Sequence, residues 1–390
     1  MSRADTGQEK ALPSQGMWET SCIMSLAFNL QRIMRNSIAA MSAPLLTTMA
    51  AVSPAIIEGK RLNPQLQAFA AVQRRLFPLH RVQLQQARAA YRLAMKSFAV
   101  TSRPMAVVED LSIPGELGPV KARLYVPRGL TAPMPLTVYF HGGGFVLGDV
   151  EGYDSTCRHI AARAKTAVLS VDYRLAPEHP MPAAVIDAGA VWRWLLETGP
   201  KIGIDPARMA VAGDSAGGLL SAMVCLMARD AAIQMPCHQL LIYPATDGRM
   251  NTRSAELYSR GFILEKQLTD WFRALAGGGL TDEELARVMP INADSFEGLP
   301  PATVVVAGFD PLYDEGVAYA GLLADAGVKV ELQDHPDMLH GFVTFTGAIP
   351  RARQALNQAI DALHRGLAPT SPARIARRGR PKTMLMPESM

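Results

Sequence analysis

The run Met209–Gly218, MAVAGDSAGG, sets Ser215 in a Gly-x-Ser-x-Gly frame between Gly213 and Gly217, with apolar residues before and after it. A strand that reverses sharply into a helix presents such a serine at the apex of the turn, and small residues at 213 and 217 let the turn close. A helix beginning at 216 then aims the positive end of its dipole at negative charge developing beside the hydroxyl. A Gly-rich connection with no chemistry carries the same letters, so Ser215 acquires meaning only through partners elsewhere.

A serine hydroxyl at neutral pH is a poor nucleophile; it needs a base, and the base needs an orienting group. Asp310 stands just past an apolar run in VVVAGFDPLYDEG, and His340 follows the last such run in DHPDMLHGF, so serine, acid and histidine occur in that chain order. Asp247 also follows a strand-like run and is the alternative acid, whereas Asp172 precedes the serine and Asp314 suits the cap or first turn of the helix it opens. His335 lies at a strand end and reads as structural. The other histidines, His80, His159, His179, His238 and His364, read as ordinary buried or exposed side chains.

Acyl transfer at such a serine builds a negative tetrahedral oxygen, which is held best by fixed backbone N–H donors. The segment Tyr139–Asp149, YFHGGGFVLGD, leaves its backbone bare at three consecutive glycines. We expect the N–H groups of Gly143 and Gly144 to act as donors with that of Ala216, each worth about 3 kcal/mol of barrier. His141 is expected to fix this loop by a hydrogen bond. Phe145, Leu219, Met338 and Phe342 are the apolar candidates at the edge of a substrate pocket.

These groups must be positioned by a framework. Continuous apolar runs at 136–140, 167–173, 209–213, 239–244, 302–308 and 329–334 read as strands of a mostly parallel sheet, with an antiparallel pair, 107–113 and 120–126, at its edge. Helical stretches at 183–198, 216–230 and 314–326 are long enough to cross between parallel strands. Residues 61–100 and 250–290 break this alternation with helical spacing and are expected to cap the sheet. The fold class is therefore α/β, helices flanking a central sheet.

The motifs HGGGF (141–145), DYRLAPEHPMPAA (172–184), GIDPARMAVAGDSAGG (203–218), FDPLYDEG (309–316) and LHGF (339–342) together resemble the hormone-sensitive-lipase-like family of α/β-hydrolase esterases, over residues 61–366. The resemblance implies a Ser215–Asp310–His340 triad, an oxyanion hole from Gly143, Gly144 and Ala216, a helical cap, and carboxylesterase activity with no cofactor and no metal. The family commonly carries Asn where Leu219 stands and glycine where Asp337 stands. Relatives of this fold have become small-molecule receptors by losing the base, and the presence of His340 separates this chain from them. The expected substrates are short- to medium-chain esters, with longer-chain lipid esters as the alternative.

At 390 residues, with about half apolar and a fifth charged, the composition is that of a globular protein with a large core. The net charge of +4 comes from the tail, where residues 365–390 hold six basic side chains against Glu388. The body thus has no polyanion-binding signature, and RRGRPK (377–382), although similar to an AT-hook, is a single copy. Four scattered cysteines and a polar N-terminus suggest reduced thiols and a cytoplasmic protein. Residues 1–60 read as a weakly ordered arm and 367–390 as a disordered basic tail. The uncharged stretch 37–57 is interrupted by Pro44 and Pro54, which argues against a membrane span. Peripheral membrane contact through the arm, and a homodimer, stay open as expectations.

Overall fold

The computed structural model describes residues 54–76 and 78–368. The arm at 1–53, with Cys22 and most of the apolar stretch, and the basic tail with its RRGRPK segment lie outside these residues. Where the arm was expected to run to residue 60, a short hairpin stands instead: β1 (Ile56–Ile57) and β2 (Lys60–Arg61) pair antiparallel about Glu58 and Gly59. Both turn residues have positive φ, the conformation that matches the twist of a two-residue hairpin. Helices α1 (Pro64–Leu76) and α2 (Leu84–Phe98) follow.

The central sheet has eight strands: β3 (Met105–Ile113), β4 (Val120–Pro127), β5 (Met134–Phe140), β6 (Ala167–Asp172), β7 (Ile204–Asp214), β8 (Gln239–Ile242), β9 (Ala302–Phe309) and β10 (Val330–Leu339). Their spatial order is β10-β9-β8-β7-β5-β6-β4-β3; β4 runs antiparallel to both its neighbours, β3 and β6, and all pairs from β6 to β10 are parallel. The crossovers are α3 (Val150–Ala164), α4 (Ala183–Thr198), α5 (Ala216–Asp230) and α9 (Tyr313–Asp325), and α10 (Pro350–Gly366) closes the domain. Between β8 and β9 the chain inserts α6 (Arg253–Leu257), α7 (Lys266–Gly277) and α8 (Asp282–Arg287).

The strand pleat sorts the core into two layers. On one face Leu136, Val138 and Phe140 of β5 join Val304 and Val306 of β9 under Trp192, Leu220 and Leu323 from α4, α5 and α9. On the other, Tyr139 and Val305 pack beneath Ile160 of α3 and Leu356 and Ile360 of α10. Each such aliphatic side chain contributes about 1.5–3 kcal/mol by its burial. Because both of their faces are covered, the central strands β5, β6, β8 and β9 are largely apolar, which is why their letters form continuous runs.

Parallel strands place their carboxyl ends at one rim, and six loops gather there, after β5, β6, β7, β8, β9 and β10. The helical pieces α1–α2 and α6–α8 meet above that rim. They are tied together where Arg81 donates to Gln267 at 3.1 Å and Arg74 pairs with Glu265 at 2.7 Å.

Candidate active site

Ser215 sits between the end of β7 and the start of α5 with φ 55 and ψ −118, a backbone geometry that non-glycine residues rarely adopt. Its N–H donates to Ile242 O at 2.9 Å, and its carbonyl accepts from Ala245 N and Leu219 N, both at 3.2 Å. The flanking glycines are sterically required. A Cβ on Gly213 would strike Gly217 O, and a Cβ on Gly217 would strike Phe140 O, so the helix approaches the sheet across bare backbone.

From this apex Ser215 Oγ lies 3.0 Å from His340 Nε2, and His340 Nδ1 lies 2.7 Å from Asp310 Oδ2. Asp310 is fully buried, His340 is 8 % exposed, and Leu312 N–H donates to Asp310 Oδ1 at 2.8 Å. The chain delivers His340 by an irregularity: β10 pairs with β9 from Val330 to His335, then resumes at Leu339 opposite Phe309. The extra residues bulge against Gly308, where a Cβ would meet Pro336. Gly341, at φ 77, turns the backbone away immediately afterwards.

Asp337, which stands where the family commonly has glycine, anchors this bulge. Arg351 of α10 donates to both of its carboxylate oxygens, at 3.0 and 2.8 Å, and its carbonyl accepts from Asn63 N at 3.0 Å beside the N-terminal hairpin.

The loop after β5 runs through three successive positive φ values, at Gly143, Gly144 and Phe145. Val146 N and Leu147 N both close on Gly143 O. Among the described residues the N–H groups of Gly143 and Gly144 meet no protein acceptor, and Ala216, the first residue of α5, has none within its helix. All three line the same cavity as Ser215 and His340. His141 is packed within the loop, its ring stacked on Tyr173 with centroids 4.3 Å apart and its Nδ1 2.9 Å from Gly142 O.

Behind the loop lies Asp214, which the sequence reading passed over although it stands next to the serine. Its Oδ1 accepts from Tyr139 OH at 2.8 Å and Gly142 N at 2.9 Å, and its Oδ2 from Tyr153 OH at 3.0 Å. Burial pushes this carboxyl above its ordinary range, while the tyrosine hydroxyls pull the other way. Glu315 forms a second buried acid, accepting from Thr246 N at 2.6 Å and Asp247 N at 3.2 Å. Burial pushes it up to about 8.

The cavity encloses about 870 Å³. Phe145 and Leu219 line it, together with Met181, Phe272, Ala276 and Met289. Met338 and Phe342, expected at its edge, are not part of the wall. Both are fully buried in the layer beneath α10, and Phe342 packs edge-on against Tyr243 at 5.1 Å. Closeness to His340 along the chain misled that expectation, because the bulge that exposes His340 turns its neighbours into the core. Phe272 of α7, in contrast, escaped the sequence reading. Its ring covers Gly144 so closely that a Cβ there would overlap it.

The rival residues have other partners. Asp247 pairs with Arg249 and does not reach His340, while Asp172 accepts from Val150 N at 3.4 Å. Asp314 lies in the first turn of α9, but its carboxylate accepts from Ser254 N at 2.7 Å, so it holds α6 to α9. His335 is buried beside Arg351, and burial lowers its proton affinity. Among the described residues there is no cluster of His, Cys, Asp and Glu that could hold a metal ion, and no helix long and apolar enough to cross a membrane.

A strand–serine–helix turn at the rim of a mostly parallel sheet, with acid and histidine on later loops, defines an α/β-hydrolase, and the sequence model of the α/β-hydrolase fold matches residues 137–344. Carboxylic ester hydrolase LipN of Mycobacterium tuberculosis is 42 % identical over 325 residues, covering 80 % of this chain and 85 % of that protein. Ethyl acetate hydrolase of Pseudomonas putida is 33 % identical over 316 residues, covering 78 % of this chain and 99 % of that protein. Among solved structures, a hyperthermophilic esterase from the archaeon Pyrobaculum calidifontis superposes with a TM-score of 0.72 at 38 % identity, over 78 % of this chain and 98 % of that one. The chain belongs to the α/β-hydrolase family, within its hormone-sensitive-lipase-like branch of carboxylic ester hydrolases.

Proposed function

We propose that this protein is a serine carboxylesterase that hydrolyses short- to medium-chain carboxylic esters through an acyl-enzyme. The observation that carries the reading is the unbroken line Asp310–His340–Ser215 at one wall of the cavity. With His340 Nδ1–H donated to Asp310, Nε2 presents its lone pair to the Ser215 hydroxyl. As Oγ attacks the ester carbonyl carbon, its proton passes to Nε2. The carbonyl oxygen becomes an oxyanion facing the N–H groups of Gly143, Gly144 and Ala216, each donor typically lowering the barrier by about 3 kcal/mol. Imidazolium then protonates the departing alkoxide, and the C–O bond breaks to leave acyl-Ser215 and free alcohol. Water, deprotonated by the same nitrogen, releases the acid and regenerates Oγ–H.

In this reading residues 61–366 form one catalytic domain, of which α1–α2 and α6–α8 are the cap. Phe145, Leu219 and Phe272 supply an apolar wall that favours small acyl groups, a reading supported by similarity to an ethyl acetate hydrolase. Unpaired thiols at Cys157, Cys225 and Cys237 support a cytoplasmic location. The test is turnover of p-nitrophenyl butyrate by wild type and Ser215→Ala. The variant is expected to fold normally and lose activity; full activity in a correctly folded Ser215→Ala protein overturns the reading. A series of acetyl, octanoyl and palmitoyl esters distinguishes an esterase, with the rate falling along the series, from a long-chain lipase.

A further inference from the structure

Three consecutive left-handed residues make the loop after β5 costly to hold, and Phe145 is the hardest to keep there because it has a Cβ. Two ties hold its far side. Ala176 N–H donates to Phe145 O at 2.8 Å, and Arg88 Nε donates to Val146 O at 2.9 Å. Both ties lead to one guanidinium, because Arg88 Nη2 also donates to Ala176 O at 2.8 Å. Arg88 also grips Glu178 in a fork, Nη1 to Oε1 at 2.8 Å and Nη2 to Oε2 at 2.7 Å. Four of the five guanidinium N–H donors are thus engaged, and the side chain is only 18 % exposed.

From this geometry we infer that Arg88 is a positioning residue for the reaction: α2, outside the sheet, clamps the 143–146 loop to the 174–178 loop and so fixes where the Gly143 and Gly144 N–H groups point. The inference rests on the proposed oxyanion role of those two glycines. An ammonium cannot replace the clamp, since a lysine has neither the planar fork nor donors in three fixed directions. The Glu178 carboxylate completes it by holding the guanidinium in register, and its proton affinity is lowered chiefly by that hydrogen bond from Arg88.

The test compares Arg88→Ala, Arg88→Lys, Glu178→Gln and, as a control one turn along the same helix, Arg92→Ala, in the full-length protein. Steady-state kinetics with p-nitrophenyl butyrate are read beside thermal melts. Displacing the donors by a fraction of an ångström is expected to lower kcat about 10- to 100-fold in Arg88→Ala and Arg88→Lys, with KM within about twofold. Millimolar ethylguanidinium should restore part of the kcat of Arg88→Ala, and ethylammonium should not. Arg92→Ala should match wild type. A folded Arg88→Ala enzyme with wild-type kcat, a loss confined to KM, or full rescue by lysine overturns the inference. If Arg88→Ala does not fold, Glu178→Gln decides: a lowered kcat with an unchanged melt supports the clamp, and wild-type kcat refutes it. Ser215→Ala run alongside separates the two claims, because an active Ser215→Ala enzyme removes the underlying reading, whereas an inactive one beside a normal Arg88→Ala removes only the clamp.

Discussion

Asp310 and His340 lie 30 residues apart in the chain and meet at 2.7 Å, with the carboxylate fully buried and its second oxygen already satisfied by Leu312 N–H. That arrangement leaves the carboxylate one direction in which to hold the imidazole. Asp310→Asn should therefore fold normally but lower kcat about 10³- to 10⁴-fold, because an amide that donates to Nδ1 selects the wrong tautomer. Asp247→Asn, whose carboxylate faces Arg249 instead, should retain most of the activity. Parallel measurement of kcat for the two variants checks the assignment of the acid.

Phe272 fills the space that a side chain on Gly144 would occupy, and so limits the volume directly above the proposed oxyanion donors. Phe272→Ala should raise kcat/KM for octanoyl relative to acetyl esters by about 10-fold or more, the scale set by a few methylenes in an apolar pocket. An unchanged ratio would show that the acyl chain lies elsewhere.

Asp214 accepts three hydrogen bonds from buried groups, among them Gly142 N–H at the root of the loop after β5. Asp214→Ala should lower stability by about 2–4 kcal/mol, read from urea unfolding, and should also depress kcat. Asp214→Asn, which keeps an acceptor toward Gly142, should lose less of both.

Two buried groups give stability opposite dependences on pH. Glu315 keeps its proton in the folded state up to about 8, against an ordinary value of 4.5, because burial disfavours its charge. The folded form binds the extra proton between these values, so the contribution is complete below 4.5 and is lost as pH rises toward 8. His238 is held neutral by burial down to about 4, against 6.5, so its contribution is present above 6.5 and lost as pH falls toward 4. The melting temperature of Glu315→Gln relative to wild type should rise steadily from pH 5 to 8. That of His238→Gln relative to wild type should rise as pH falls from 6.5 to 4. Flat differences would contradict the burial account.

Much of this was legible because the chemistry constrains letters tightly. The proposed nucleophile needs small residues at 213 and 217, and the proposed acid and base follow strand ends, so Ser215, Asp310 and His340, which the structure brings together, could be named from their loops. Strands buried on both faces likewise announced themselves as apolar runs. β7 begins five residues earlier than its apolar run, at Ile204, because that residue pairs with Met134 across a register shift that hydropathy does not record. Helix α3 was not singled out, and its buried face explains why: Gly152, Thr156 and His159 stand among its inward residues, blurring the apolar stripe. Met338 and Phe342 were misplaced because a bulge reassigns faces locally. Phe272 and Arg88 could not be read at all, since what matters about each is the loop it touches; for Arg88 that partner is 58 residues away.

The central claim is that the Ser215 hydroxyl is activated by His340, and covalent labelling by a fluorophosphonate, located by peptide mass spectrometry, tests it most directly. The account predicts a single rapid adduct on Ser215 in wild type and a rate at least about 100-fold slower in a folded His340→Gln protein. An unlabelled wild type, an adduct on another residue, or equal rates in the two proteins would contradict it.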